Sequence, residues 1–154
     1  MTHLANGVRL WLSSMWRSRA RPLLLALGLG LAYAGLALAN SFYYAVGSTP
    51  SFWPAAEISF AALVSAPRRH WPWLLTAVFL AELAVDLHLG YAVDLAAGWA
   101  TANTVEPLLA AWLLGPLLRG GRRLDLTHRR DLLAFVGAGV LAGPVLGALV
   151  GAST

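Results

Sequence analysis

Four carboxylates interrupt otherwise apolar stretches of this chain: Glu57, Glu82, Asp86 and Glu106. Glu82 and Asp86 are four residues apart, and Asn103 and Glu106 three apart, so on helices each pair shares one face. A carboxylate in apolar surroundings needs a proton, a hydrogen bond or a cation beside it. Aromatic residues gather at neighbouring positions: Phe42, Tyr43, Tyr44, Phe52, Trp53, Tyr91 and Trp99, with His88 as the one basic side chain near them. Rings next to carboxylates suit an amine or another organic cation. The same groups would also make a neutral network tying helices together, and both readings stand open on the sequence. One histidine among scattered carboxylates has no metal-ligand spacing, so neither metal nor cofactor is expected. With no phosphate-cradling loop and no Ser/His/Asp nucleophile pattern, no enzymatic activity is expected either.

The elements that hold these residues follow from composition. Of 154 residues, 58% are hydrophobic and 12% charged, and there are 15 glycines besides. Soluble domains average about 45–50% apolar residues with glycine counted, and about 25% charged. A chain of this length cannot bury so much apolar surface in its own core. It reads as an integral membrane protein whose first partner is the lipid bilayer. All 11 basic residues are arginine, and they lie in three short clusters between apolar runs. That is a topology pattern rather than a basic surface, and it excludes nucleic acid as a partner. The absence of cysteine excludes disulfides and thiol chemistry.

The expected fold is an all-α, polytopic transmembrane bundle of five spans, over residues 22–44, 52–66, 71–91, 95–118 and 132–151. Residues 1–21 precede it as a basic segment in which Leu4, Val8, Trp11 and Met15 recur at helical spacing, as in a helix lying in the inner headgroup region. The run before Ala37-Leu38-Ala39 has some character of a secretory signal, but it is longer than such a signal's apolar core. Pro22 suits the first turn of span one, and Thr127 the N-cap of span five. If all five segments cross, every arginine falls on one side, which the positive-inside rule makes cytoplasmic, together with the N-terminus. Span two is short for a bilayer core of about 30 Å. A tilted or recessed crossing keeps Arg68 and Arg69 inside, whereas a re-entrant loop would not. In this arrangement the four carboxylates and Asn103 all lie between the outer interface and the midplane, and outline an outward-facing acidic pocket.

Gly139, Gly143, Gly147 and Gly151 repeat every fourth residue. They leave one face of span five as bare backbone for close helix contact, within the protomer or across a homodimer. Pro144 is expected to kink that span.

Several segments taken in order resemble a known family. Phe52-Trp53-Pro54-Ala55-Ala56-Glu57 opens an apolar helix, followed by Pro67-Arg68-Arg69-His70-Trp71-Pro72 and Ala102-Asn103-Thr104-Val105-Glu106-Pro107-Leu108. Arg129-Arg130-Asp131-Leu132-Leu133 and Gly143-Pro144-Val145-Leu146-Gly147-Ala148 come after. This order resembles the membrane-associated sensor domain, first class of the MASE group, in its actinobacterial form, over residues 22–154. The Trp-Pro pair and the Asn-x-x-Glu are its most specific parts. The resemblance implies a multi-pass sensor of the bacterial inner membrane, joined to a cytoplasmic output such as a histidine kinase or a cyclic-di-nucleotide synthase or phosphodiesterase. It places Trp53, Pro54, Asn103 and Glu106 on motif positions; Glu57 departs from the small residue common there. The family's domain has more spans than five, so the chain is expected to be part of a longer receptor.

The expected function is therefore a sensory, signal-transducing module that binds a small ligand, a cationic one being suited, and relays it to an output domain or partner protein. Its candidate ligand contacts are Trp53, Pro54, Glu57, Glu82, Asp86, Trp99, Asn103 and Glu106. The alternative is a small transporter or permeation subunit that uses the intramembrane carboxylates as a relay. Against it, the polar groups stop near the midplane and no inverted repeat is evident. Topology is directly testable. A reporter enzyme active only in the cytoplasm is expected to work when fused after Gly120 and to be silent when fused after Ala92.

Overall fold

The computed structural model describes residues 20–45, 53–118 and 124–153, and every regular element among them is helical. The interfacial helix expected before residue 20 lies outside the described residues. Helix α1 spans Ala20–Ala45, with Pro22 in its first turn. Ala26, Tyr33, Ala37 and Asn40 form its buried face, while Leu27, Leu31 and Phe42 are more than half exposed on the other. Large apolar side chains pointing outward are the surface a lipid-facing helix presents.

Helix α2 covers Pro54–Ser65. Pro54 occupies its first turn, where a missing N–H costs nothing, and the chain turns extended at Ala66, ahead of Pro67. Twelve residues of helix reach only ~18 Å, so the shortness expected of span two is greater than the sequence suggested. A 3₁₀ turn, Arg68–His70, leads into α3, Trp71–His88. The Trp71 indole donates to the carbonyls of Leu63 (2.9 Å) and Ala66 (3.3 Å), taking up acceptors that the end of α2 would leave unpaired. The Arg68 guanidinium lies 5.4 Å from the centre of the Trp71 ring and packs against Gly115, where any side chain would collide with it. Gly90, at φ 89°, makes the turn at the opposite end of α3.

Helix α4 is Val93–Leu114 and carries the buried Pro107 inside it. Helix α5 runs Arg129–Ala152. It begins and ends α-helical, over Arg129–Phe135 and Gly143–Ala152, but winds as a π-helix over Val136–Ala142. Pro144 is the cause: it has no amide to donate to the Val140 carbonyl, and its ring would clash there, so the preceding turns loosen. The expected kink is thus a change of helical winding. Thr127 is not the cap of this helix; His128 holds that position. Both Thr127 donors go instead to Asp125 Oδ1, amide at 3.0 Å and hydroxyl at 2.6 Å. These bonds hold the Asp125 carboxyl below its usual pKa range.

Helix α1 packs on α2 and α3, and α4 packs on α2, α3 and α5. The interfaces are built largely from small residues, among them Ala55, Ala96, Ala100, Ala110 and Ala111, which let helices approach closely. Two helices, α1 and α5, are long and apolar enough to cross a membrane by composition alone. Helix α2 is too short for that test, and the carboxylates on α3 and α4 lower their mean hydropathy.

The glycine face of α5 packs inside the protomer. A Cβ on Gly147 would stand 2.8 Å from Glu106 Cβ and Oε2, one on Gly143 3.1 Å from Ala110 Cβ, and one on Gly151 3.5 Å from Ala102 Cβ. Gly139 faces Phe60 of α2. By contrast, a Cβ on Gly35 would meet nothing within 4 Å. Gly147→Ala is expected to destabilise the fold by about 1–3 kcal/mol, the usual cost of overpacking. Gly35→Ala should leave stability unchanged or raise it by up to about 1 kcal/mol. Reversible chemical unfolding of both variants in detergent micelles checks the ranking.

Candidate functional site

A cleft of about 590 Å³ opens between α1, α3, α4 and α5, at the end of the bundle opposite Arg68 and Arg69. Glu82 and Asp86 enter it from successive turns of α3, and Trp99, Asn103 and Glu106 from one face of α4. Trp53, the residue just before α2, closes one wall. Ala37 and Ser41 of α1 and Pro144, Gly147 and Gly151 of α5 supply the rest of the framework.

Hydrogen bonds tie the elements around the cleft in pairs. Asn103 Nδ2 donates to Glu82 Oε1, joining α4 to α3. Trp53 Nε1 donates to the Tyr33 hydroxyl at 3.4 Å, joining the start of α2 to α1. Tyr33 is fully buried and lies beside Glu82 without reaching standard hydrogen-bond geometry, so Glu82 Oε2 keeps no partner. Asp86 Oδ2 has none either, although Glu82 and Asp86 are only 3% and 6% exposed. Thr101 and Thr104 bond back to the carbonyls of Ala97 and Ala100, so they offer the cleft no donors. Pro107 has no amide to give the Asn103 carbonyl one turn back. At the mouth, Tyr91 and Trp99 meet edge to face, with centroids 5.0 Å apart at 72°.

Of the eight residues picked out from the sequence, six line this cleft: Trp53, Glu82, Asp86, Trp99, Asn103 and Glu106. Pro54 and Glu57 do not. On α2 the bundle-facing positions are Ala55, Ser59 and Leu63, and Glu57 lies two residues, about 200°, round from Ala55. It is exposed, and lines a shallow depression beside Phe60 and Glu106. His88 also faces elsewhere, into a separate apolar groove between α1 and α3. Gly147 and Gly151 line the cleft, whereas Gly139 and Gly143 are in helix contacts only. Among the described residues no group of three His, Asp or Glu is placed to hold a metal.

Two residues escaped the sequence reading. Tyr33 supports the acidic pair from beneath, and Asn40 is buried with its Nδ2 unpaired. A hydroxyl and an amide inside an apolar run carry their own signal, because each needs a partner there.

Fold and site define a helical membrane protein with a pre-formed polar cleft. The MASE1 family model matches residues 22–154, and the chain belongs to that family of membrane sensory domains. Comparison with curated proteins and with solved structures returns no match.

The Glu82–Asn103 bond has an asymmetric energetic consequence. Asn103→Leu strips Glu82 of its donor and is expected to cost about 1–3 kcal/mol, whereas removing both partners at once is close to neutral. Unfolding of Asn103→Leu and of Asn103→Leu with Glu82→Met should therefore show the second substitution recovering most of the loss.

Proposed function

We propose that the chain is the ligand-receiving part of a bacterial inner-membrane sensor, crossing the bilayer five times with its N-terminus in the cytoplasm. It has no catalysis of its own: it binds a small molecule in the cleft from outside and passes the event to an output domain or a partner protein. One observation carries this reading. The cleft and the tightest part of the α4–α5 contact share the same residues, since Glu106 lines the cleft and packs directly on Gly147. An occupant that moves Glu106 changes how closely α5 can sit on α4. The π-helical segment of α5, just before Pro144, gives that helix a second winding to adopt. Coupling then requires only that the occupant favour one packing over the other.

The absence of cysteine makes the test clean. Cβ atoms at positions 102 and 151 would lie 3.5 Å apart, which is within disulfide range. The Ala102→Cys/Gly151→Cys pair is expected to oxidise readily in native membranes. Ser41→Trp, which fills the cleft from α1, should change the rate of that oxidation by at least about fivefold, the low end of ordinary coupling between sites. An unchanged rate would overturn the relay.

A further inference from the structure

We infer that the cleft takes an organic ammonium ion with an apolar body, its charged head held by Asp86 and Glu82 and its body against the Tyr91–Trp99 pair. The inference deepens the sensory reading and rests on it for the role of the cleft. Three carboxyl groups line the cavity, and among the described residues no arginine or histidine does. His88, the nearest basic residue in sequence, lies in the α1–α3 groove instead. The two most deeply placed of these carboxyls, Glu82 and Asp86, line the cleft while at least nine-tenths buried, and the enclosed Asp86 Oδ2 has no hydrogen-bond partner. The nearby donors do not serve Asp86: Asn103 donates to Glu82 Oε1, the Tyr33 hydroxyl lies beside Glu82, and Thr101 and Thr104 bond to their own helix.

Buried acceptors without donors call for a donor, and a cation satisfies both hydrogen bonding and charge. A bare metal ion does not suit the walls, because among the described residues no three His, Asp or Glu side chains converge. An ammonium with a carbon body does. Its N–H groups supply donors to the Asp86 and Glu82 carboxyls, and its body packs against Tyr91, Trp99, Val85 and Leu89. A volume near 590 Å³ lies within the ordinary range of small-molecule sites.

The test uses the whole chain in lipid nanodiscs, with isothermal titration calorimetry referenced to empty nanodiscs so that partition into lipid cancels. Three probes share one body: 2-phenylethylamine, 2-phenylethanol and 3-phenylpropanoate. The amine is expected to bind saturably, the alcohol at least tenfold more weakly, and the carboxylate not at all. Asp86→Asn should weaken the amine at least tenfold, Asp86→Glu should keep most of its affinity, and Ser41→Trp should abolish binding. If Asp86→Asn fails to fold, the amine–alcohol comparison and Ser41→Trp decide the matter. Equal binding of amine and alcohol, no binding of the amine, or full affinity in a folded Asp86→Asn each overturns the ammonium. None of these results touches the oxidation rate of the 102–151 cysteine pair. Conversely, an unresponsive pair removes the sensory role and leaves the binding result intact.

Discussion

The arrangement depends on one constraint: polar groups within apolar helices must find partners inside the bundle, because lipid offers none. The Glu82–Asn103 hydrogen bond is where that constraint is met most directly. It sets the rotation of α3 against α4, and that rotation carries Asp86 and Glu106 to the same cavity. Beside that pair, Trp53 donates to the buried Tyr33 hydroxyl and ties the start of α2 to α1 next to the same carboxyl group. Shape alone would not do this. The apolar interfaces are mostly alanine, and alanine faces slide and rotate over one another at little cost.

Helix α5 is held differently. Its contact with α4 is backbone against side chain: Gly147 receives Glu106, and Gly143 meets Ala110. Such a contact is close because glycine leaves the backbone bare, and it sits next to turns already loosened by Pro144. One wall of the cleft is therefore tied and the other merely fitted. A ligand bridging them would do more work on the fitted wall, which is why α5 is the element expected to move.

Much of this was legible in the sequence, and what was not has a physical reason. The order and approximate extent of the helices follow from apolar runs broken by Pro54, Pro67 and the Gly90 turn. Glu82 with Asp86, and Asn103 with Glu106, could be paired from helical spacing alone, because each pair lies on a single element. Glu57 could not be placed, since its direction depends on which face of α2 meets the bundle. On a helix that is apolar nearly all the way round, with Ala55, Ala56, Ile58, Phe60, Ala61, Ala62, Leu63 and Val64, no apolar stripe marks that face. His88 failed for the same reason: it is only two residues past Asp86, but two residues turn a helix by about 200°. Tyr33 and Asn40, seven residues apart, share one face of the first apolar run, but nothing in the sequence says which helices that face meets. The π-helical winding follows from Pro144, but the sequence could show only that something must give there.

The distribution of polar groups also bears on the choice between sensing and transport. A relay across the membrane needs acceptors and donors continuing past the midplane toward the other face. Below Glu106, the side chains of α4 that face inward are Pro107, Ala110, Ala111 and Leu114, all buried. On α3 the corresponding positions are Val78 and Leu74. Ions or protons entering the cleft would meet this apolar floor, with the Trp71 indole and His70 beyond it at the far end. A closed floor suits a site that is occupied and vacated from the same side. On the sensory reading proposed above, a binding event would cross the membrane as a change in helix packing, and α5, packed on α4 through glycine, is the helix placed to carry it.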